Sequence, residues 1–161
     1  MTRIRNLLGG VMMQKILIAT DGSKHSERAA EVGTEMAKLY GAEITILYVM
    51  DVNKEYASLG DMISRVVNDL ISNIRTNLQN QGDLATTRVQ EMAKRAGILA
   101  ERKIIEGYPA EEIIRTAEKG NMDLIVVGGI GATGLDKFLL GSVADKVVRN
   151  SKVPVLVVRN D

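Results

Sequence analysis

Between residues 128 and 143 the chain reads Gly-Gly-Ile-Gly-Ala-Thr-Gly-Leu-Asp-Lys-Phe-Leu-Leu-Gly-Ser-Val. This stretch begins where an apolar run, Met122 to Val127, stops, and ends where a helix-like run, Val143 to Asn150, starts. Glycines at a strand-to-helix junction let backbone N–H groups approach an anion with no Cβ in the way. The N-terminus of the following helix adds unpaired donors and a favourable dipole. A phosphate group suits both features. Near the other end of the chain, Ala19-Thr20-Asp21-Gly22-Ser23 places a carboxylate directly after another apolar run. Each element also has a structural use: glycines punctuate loops, and Asp21 and Ser142 are good helix caps.

The elements that must position these residues follow from hydrophobic pattern. Lys15 to Thr20 and Glu43 to Val49 read as buried parallel strands, as does Asp123 to Val127. Ala100 to Glu106 is a less apolar strand, suited to a place nearer an edge, and Val153 to Val158 is the fifth, with Pro154 at its start. Between them, Ser23 or Ser26 caps a helix that runs to about Tyr40 and stops at Gly41. Pro109 opens another, which ends at Gly120. Residues 51–97 show apolar positions at helical spacing, with a break expected near Asn80-Gln81-Gly82-Asp83. Strands alternating with helices predict an α/β fold: an open five-stranded parallel sheet, Rossmann-like, with helices on both faces and strand order 3-2-1-4-5. Ligands in such sheets sit beyond the carboxyl ends of the strands, at the switch point. That rule gathers Asp21, Val49 and the stretch from Gly128 into one cleft, with an acid, backbone amides and apolar walls. The cleft has the character of a nucleotide site.

Composition excludes several other classes. The chain has 161 residues and a net charge of +1, which argues against a protein built to bind nucleic acid. Four Tyr, one Phe and no Trp make aromatic stacking platforms for bases improbable. The absence of Cys removes disulfides, thiolate metal sites and cysteine nucleophiles, and a single His removes most histidine-based chemistry. No apolar run approaches the ~20 residues of a membrane span. Residues 1–12 read as a loose basic tail without the features of a signal peptide, Met12 or Met13 offers an alternative start, and residues 13–161 read as one domain. The expected location is cytoplasmic.

The spacing Gly128-x2-Gly131-x9-Gly141-Ser142 resembles the signature of the ATP-binding branch of the universal stress protein family. Ile16 to Ser23 is similar to that family's first strand and turn, and Ser151 to Val158 to its last strand, so the resemblance spans about residues 13–159. It implies a set of site residues. Ala19 and Thr20 would belong to the nucleotide site, and Asp21 would contact ribose, or a metal held by the phosphates. Val49 would offer backbone hydrogen bonds to adenine, and Gly128 and Gly131 would let the chain pass close to ribose and the α-phosphate. Gly141, Ser142 and Val143 would supply N–H groups, and the Ser142 hydroxyl, to the outer phosphates. The implied ligands are ATP, ADP or AMP, with Mg²⁺ or Mn²⁺ held mainly by the phosphates rather than by a protein cage. The resemblance also implies a homodimer formed through the C-terminal strand, residues 154–158, an apolar edge that invites pairing.

The chemistry expected beyond binding is limited. There is no Gly-x4-Gly-Lys-Ser/Thr motif, so P-loop hydrolysis as usually arranged is absent. The sequence favours a nucleotide-dependent switch for signalling or stress response, with at most slow metal-assisted hydrolysis and an unknown protein partner. The alternative is a dimeric interaction module of the same fold that needs no nucleotide. A phosphorylated receiver domain would need an Asp after strand three and a Lys after strand five, where this chain has Glu106-Gly107 and Arg159-Asn160. An ATP pyrophosphatase would need Ser-Gly-Gly-x-Asp-Ser after strand one, which is also missing.

Overall fold

The computed structural model describes residues 12–52, 54, 64–130 and 140–159. Strands β1 (Lys15–Ala19), β2 (Glu43–Met50), β3 (Ala100–Glu106), β4 (Leu124–Gly128) and β5 (Val155–Val158) form a five-stranded parallel sheet in the order β3-β2-β1-β4-β5. This is the predicted order, with β3 and β5 at the edges. β1 lies between β2 and β4, with Ile18 opposite both Ile46 and Val126. The winding direction therefore reverses between β1 and β4. Helices α1 (Lys24–Tyr40), α2 (Ser64–Arg95), α3 (Pro109–Lys119) and α4 (Ser142–Asn150) complete the described elements.

The central strands are apolar at successive positions because both faces of the sheet are covered. Ile16, Ile18, Ile44, Ile46 and Val126 point to one side, against Ala29, Ala30 and Ala37 of α1 and Val89 and Ala93 of α2. Leu17, Leu47, Ile125 and Val127 point to the other, against Ala110, Ile113 and Ala117 of α3 and Ala144 and Val147 of α4. Complete burial of each large aliphatic side chain contributes about 1.5–3 kcal/mol. Small residues on the helices let them sit close to the sheet, which brings their N-termini near the strand ends.

Two expected boundaries differ from the structure. The break near residues 80–83 is absent: α2 runs through Gly82 without interruption. Glycine is a poor helix former, but here packing decides. A Cβ on Gly82 would lie 2.7 Å from Cδ1 of Tyr48 and 3.2 Å from Cδ1 of Ile104, so the missing side chain is what lets α2 lie against β2 and β3. The Thr86 hydroxyl, fully buried, donates to the Gly82 carbonyl at 2.7 Å. The fifth strand starts at Val155 rather than Val153, because the Ser151 hydroxyl turns the chain locally. It accepts from the Val153 N–H at 3.0 Å and donates to the Val153 carbonyl at 2.8 Å. The tail expected over residues 1–12 lies outside the described residues except for Met12, as does part of the 51–97 segment.

Candidate functional site

At the carboxyl end of β1 the chain turns sharply, and side-chain hydrogen bonds fix the turn. The Thr20 N–H donates to the Leu47 carbonyl at 2.9 Å, continuing the β1–β2 ladder by one residue. Ser23 caps α1, its Oγ accepting from the Ser26 N–H at 3.2 Å. The Ser26 hydroxyl donates to the Ser23 carbonyl at 2.9 Å. A hydroxyl has one proton, so at the 3.0 Å contact between Thr20 Oγ1 and Ser26 Oγ it is Thr20 that donates. Thr20 Oγ1 in turn accepts from the Gly22 N–H at 3.2 Å. Asp21 stands exposed at the top of this turn, one carboxylate oxygen accepting from the Ser23 N–H at 3.0 Å. Of the three capping residues considered from sequence, Asp21, Ser23 and Ser26, it is Ser23 that caps α1, while Asp21 shapes the turn before it.

β4 ends beside the same turn. A Cβ on Gly128 would come within 3.1 Å of the backbone carbon and oxygen of His25 and 3.3 Å of the Ser26 nitrogen. Glycine at this position lets β4 pass under the first turn of α1. Next, the Gly129 N–H donates to the Val158 carbonyl at 2.8 Å, and the Gly129 carbonyl accepts from the Gly141 N–H at 2.7 Å. The second bond closes the neck of the intervening stretch and delivers the chain into α4. The first intrahelical bond of α4 runs from the Asp145 N–H to the Gly141 carbonyl at 2.9 Å. The N–H groups of Ser142, Val143 and Ala144 precede it and have no acceptor within the helix. Donors for an anion thus come from residues 142–144, while the Gly141 N–H is engaged in the neck.

These pieces meet in a cleft of about 510 Å³ over the carboxyl ends of β1, β2 and β4. That volume is within the range of small-molecule sites. Ala19, Thr20, Asp21, Val49, Gly128, Gly141, Ser142 and Val143 all line it, so every predicted site residue in the described structure is brought together. Gly131 lies outside the described residues. Leu47, Val49, Ile113 and Val127 give the cleft apolar walls, and Asp21, Asp51 and Glu111 supply carboxylates. A smaller cavity of about 380 Å³ lies at the opposite end of the sheet, near Lys15, Glu43 and Leu99. The strand-end rule favours the larger one.

Sequence reasoning missed several lining residues. Tyr108 to Glu111 follow β3 directly and would have been found by applying the strand-end rule to that strand as well. Lys146 lies one helical turn beyond Ser142 and would have been found by following that helix face. Leu78 and Gln81 come from α2, and no local pattern marks them. Among the described residues, no group of three or more His, Asp or Glu is placed to hold a metal ion. No described helix is long and apolar enough to cross a membrane.

Comparison with known proteins gives a consistent picture. Universal stress protein MJ0531 of Methanocaldococcus jannaschii is 39% identical over 97% of this chain and 86% of its own length. The solved structure of MJ0577, a universal stress protein of the same archaeon, superimposes with a TM-score of 0.80 at 30% identity, covering 94% of this chain and 99% of that one. A universal stress protein solved in complex with cAMP matches with a TM-score of 0.67 at 25% identity, over 94% of this chain and all of that one, 100%. The family model for universal stress proteins matches residues 12–159, and the chain belongs to the universal stress protein family.

Proposed function

We propose that the chain binds an adenine nucleotide, ATP or its products ADP and AMP, in the cleft over β1, β2 and β4, and works as a nucleotide-dependent switch in a stress response. The observation that carries this reading is the pairing of N–H groups that have no acceptor within α4, at its start, with the Asp21 turn, in one cleft with apolar walls. Phosphates satisfy helix N-terminal donors, a carboxylate accepts from ribose hydroxyls, and an adenine ring suits the apolar side. Val49, at the end of β2, takes the base. Ala19, Thr20 and Asp21 take the ribose, Gly128 and Gly131 pass the α-phosphate, and Gly141, Ser142 and Val143 frame the outer phosphates. The cAMP complex of a relative supports an adenine nucleotide as the ligand class.

Mg²⁺ or Mn²⁺ belongs to this reading as a partner of the phosphates, with Asp21 as the cleft carboxylate that would contact it. A bound cation supplies charge neutralisation at the phosphates. In this reading hydrolysis is slow at most. Residues 13–161 act as one cytoplasmic domain, with no nucleic acid or membrane as partner. β5 pairs with a second copy through residues 154–158, and the nucleotide alters the surface offered to a protein partner.

The reading is tested by thermal unfolding with and without ATP and Mg²⁺. A ligand at about 100 times its Kd stabilises the native state by about 2.7 kcal/mol, which raises the Tm of a domain this size by about 5–10 °C. Asp21→Ala should shrink the shift. No shift with ATP, ADP or AMP would overturn the proposal.

A further inference from the structure

We infer that Lys146 distinguishes nucleotides by the number of their phosphates, favouring ATP and ADP over AMP; this rests on the nucleotide reading above. The described wall of the cleft carries three carboxylates, Asp21, Asp51 and Glu111, against two cationic side chains, Lys54 and Lys146. A polyphosphate brought into such surroundings needs a counter-charge beyond neutral N–H groups. Lys54 follows the end of β2, where the base is placed, its backbone N–H donating to the Asp51 carboxylate at 3.0 Å. Lys146 belongs to α4, four residues after Ser142 and about 6 Å further along the axis.

The geometry of a helix then directs the lysine toward the outer phosphates. Residues four apart share a face, and helical side chains lean back toward the N-terminus. The four-carbon stem of Lys146 therefore carries its ammonium toward the N–H groups of residues 142–144. Arg149, one turn further along α4, is already committed: its Nε lies 2.8 and 2.9 Å from the two carboxylate oxygens of Asp145. Lys146 is exposed and has no ion pair among the described residues. A charge at the cleft with no ion pair among the described residues is available to a ligand, and with the ribose at the Asp21 turn the phosphates that ATP has and AMP lacks are the ones left to meet it.

The test is titration of the wild-type chain and of Lys146→Gln with ATP and with AMP, Mg²⁺ present throughout. Loss of a charge-assisted contact should weaken ATP about tenfold, with AMP changed by less than about twofold. Lys146→Arg should keep the ATP affinity. The ATP difference between wild type and Lys146→Gln should shrink at about 1 M salt, where the screening length is about 3 Å. Equal weakening of ATP and AMP, or an unchanged ATP affinity, would overturn the assignment of Lys146 while leaving the nucleotide site in place. Wild-type protein that binds neither nucleotide would remove the site itself, and the inference with it.

Discussion

Replacing Gly82 with alanine sets a gain in helix propensity against a packing clash, and the two can be weighed. In an exposed helix interior the change stabilises by about 1 kcal/mol. In α2 the new Cβ would meet the Tyr48 ring at 2.7 Å, and Ile104 Cδ1 at 3.2 Å. Tyr48 is 5% exposed, and its hydroxyl donates to Gln81 at 3.4 Å, so the ring has little room to swing aside. Overpacking a filled interior costs about 1–3 kcal/mol. The expected balance is a loss of about 1 kcal/mol, lowering Tm by about 2–4 °C. Asn80→Ala, at an exposed position on the same helix, gains propensity with no clash and should raise Tm. Thermal and urea unfolding followed by circular dichroism would compare the two. A Gly82→Ala protein as stable as Asn80→Ala would refute the argument that α2 needs a glycine to seat on Tyr48. Tyr48 and Gln81 also line the cleft, so displacing the ring should weaken nucleotide binding as well.

Two further outcomes follow from the same geometry. Gly128→Ala should cost about 1–2 kcal/mol, because its Cβ would press on the backbone of His25 and Ser26 rather than on a movable side chain; a variant with wild-type Tm would contradict this. At the sheet edge, the Pro154 and Val158 carbonyls accept from Ile125 and Gly129 of the β4 side, so by alternation the backbone groups of Val155 and Val157 face outward. Val157→Pro removes an outward donor without touching the ladder to β4, and sedimentation should show a dimeric wild type and a monomeric variant. A variant that remains dimeric would exclude pairing through β5.

Much of this structure was legible in the sequence because local signals and tertiary demands agree. The runs at Ile16–Ile18, Ile44–Leu47 and Leu124–Val127 read as buried strands, and they are covered on both faces. Gly41 stops α1 and Pro109 opens α3, as their backbone preferences require. Asp21, Gly128 and Ser142 converge because strand order places the ends of β1 and β4 together. What was not legible depends on distant partners. Gly82 looks like a helix breaker until Tyr48 is placed beside it, and the packing demand on Gly128 shows only once the first turn of α1 is seen against it. Tyr108 and Lys146 were passed over because a motif directs attention to its own letters, whereas a cleft is lined by whatever the neighbouring strand ends and helix faces present. Leu78 and Gln81 reach the cleft only through the length of α2.

The central claim is that the Asp21 turn and the start of α4 together bind an adenine nucleotide. Calorimetric titration of nucleotide-free protein with ATP and Mg²⁺, beside a Gly131→Val, Ser142→Ala double variant, addresses it most directly. The account predicts binding by the wild type with a Kd on the order of micromolar, about −8 kcal/mol, lost in a variant that remains folded. Folded wild-type protein that takes up no ATP would contradict it and would favour a dimeric interaction module that works without nucleotide.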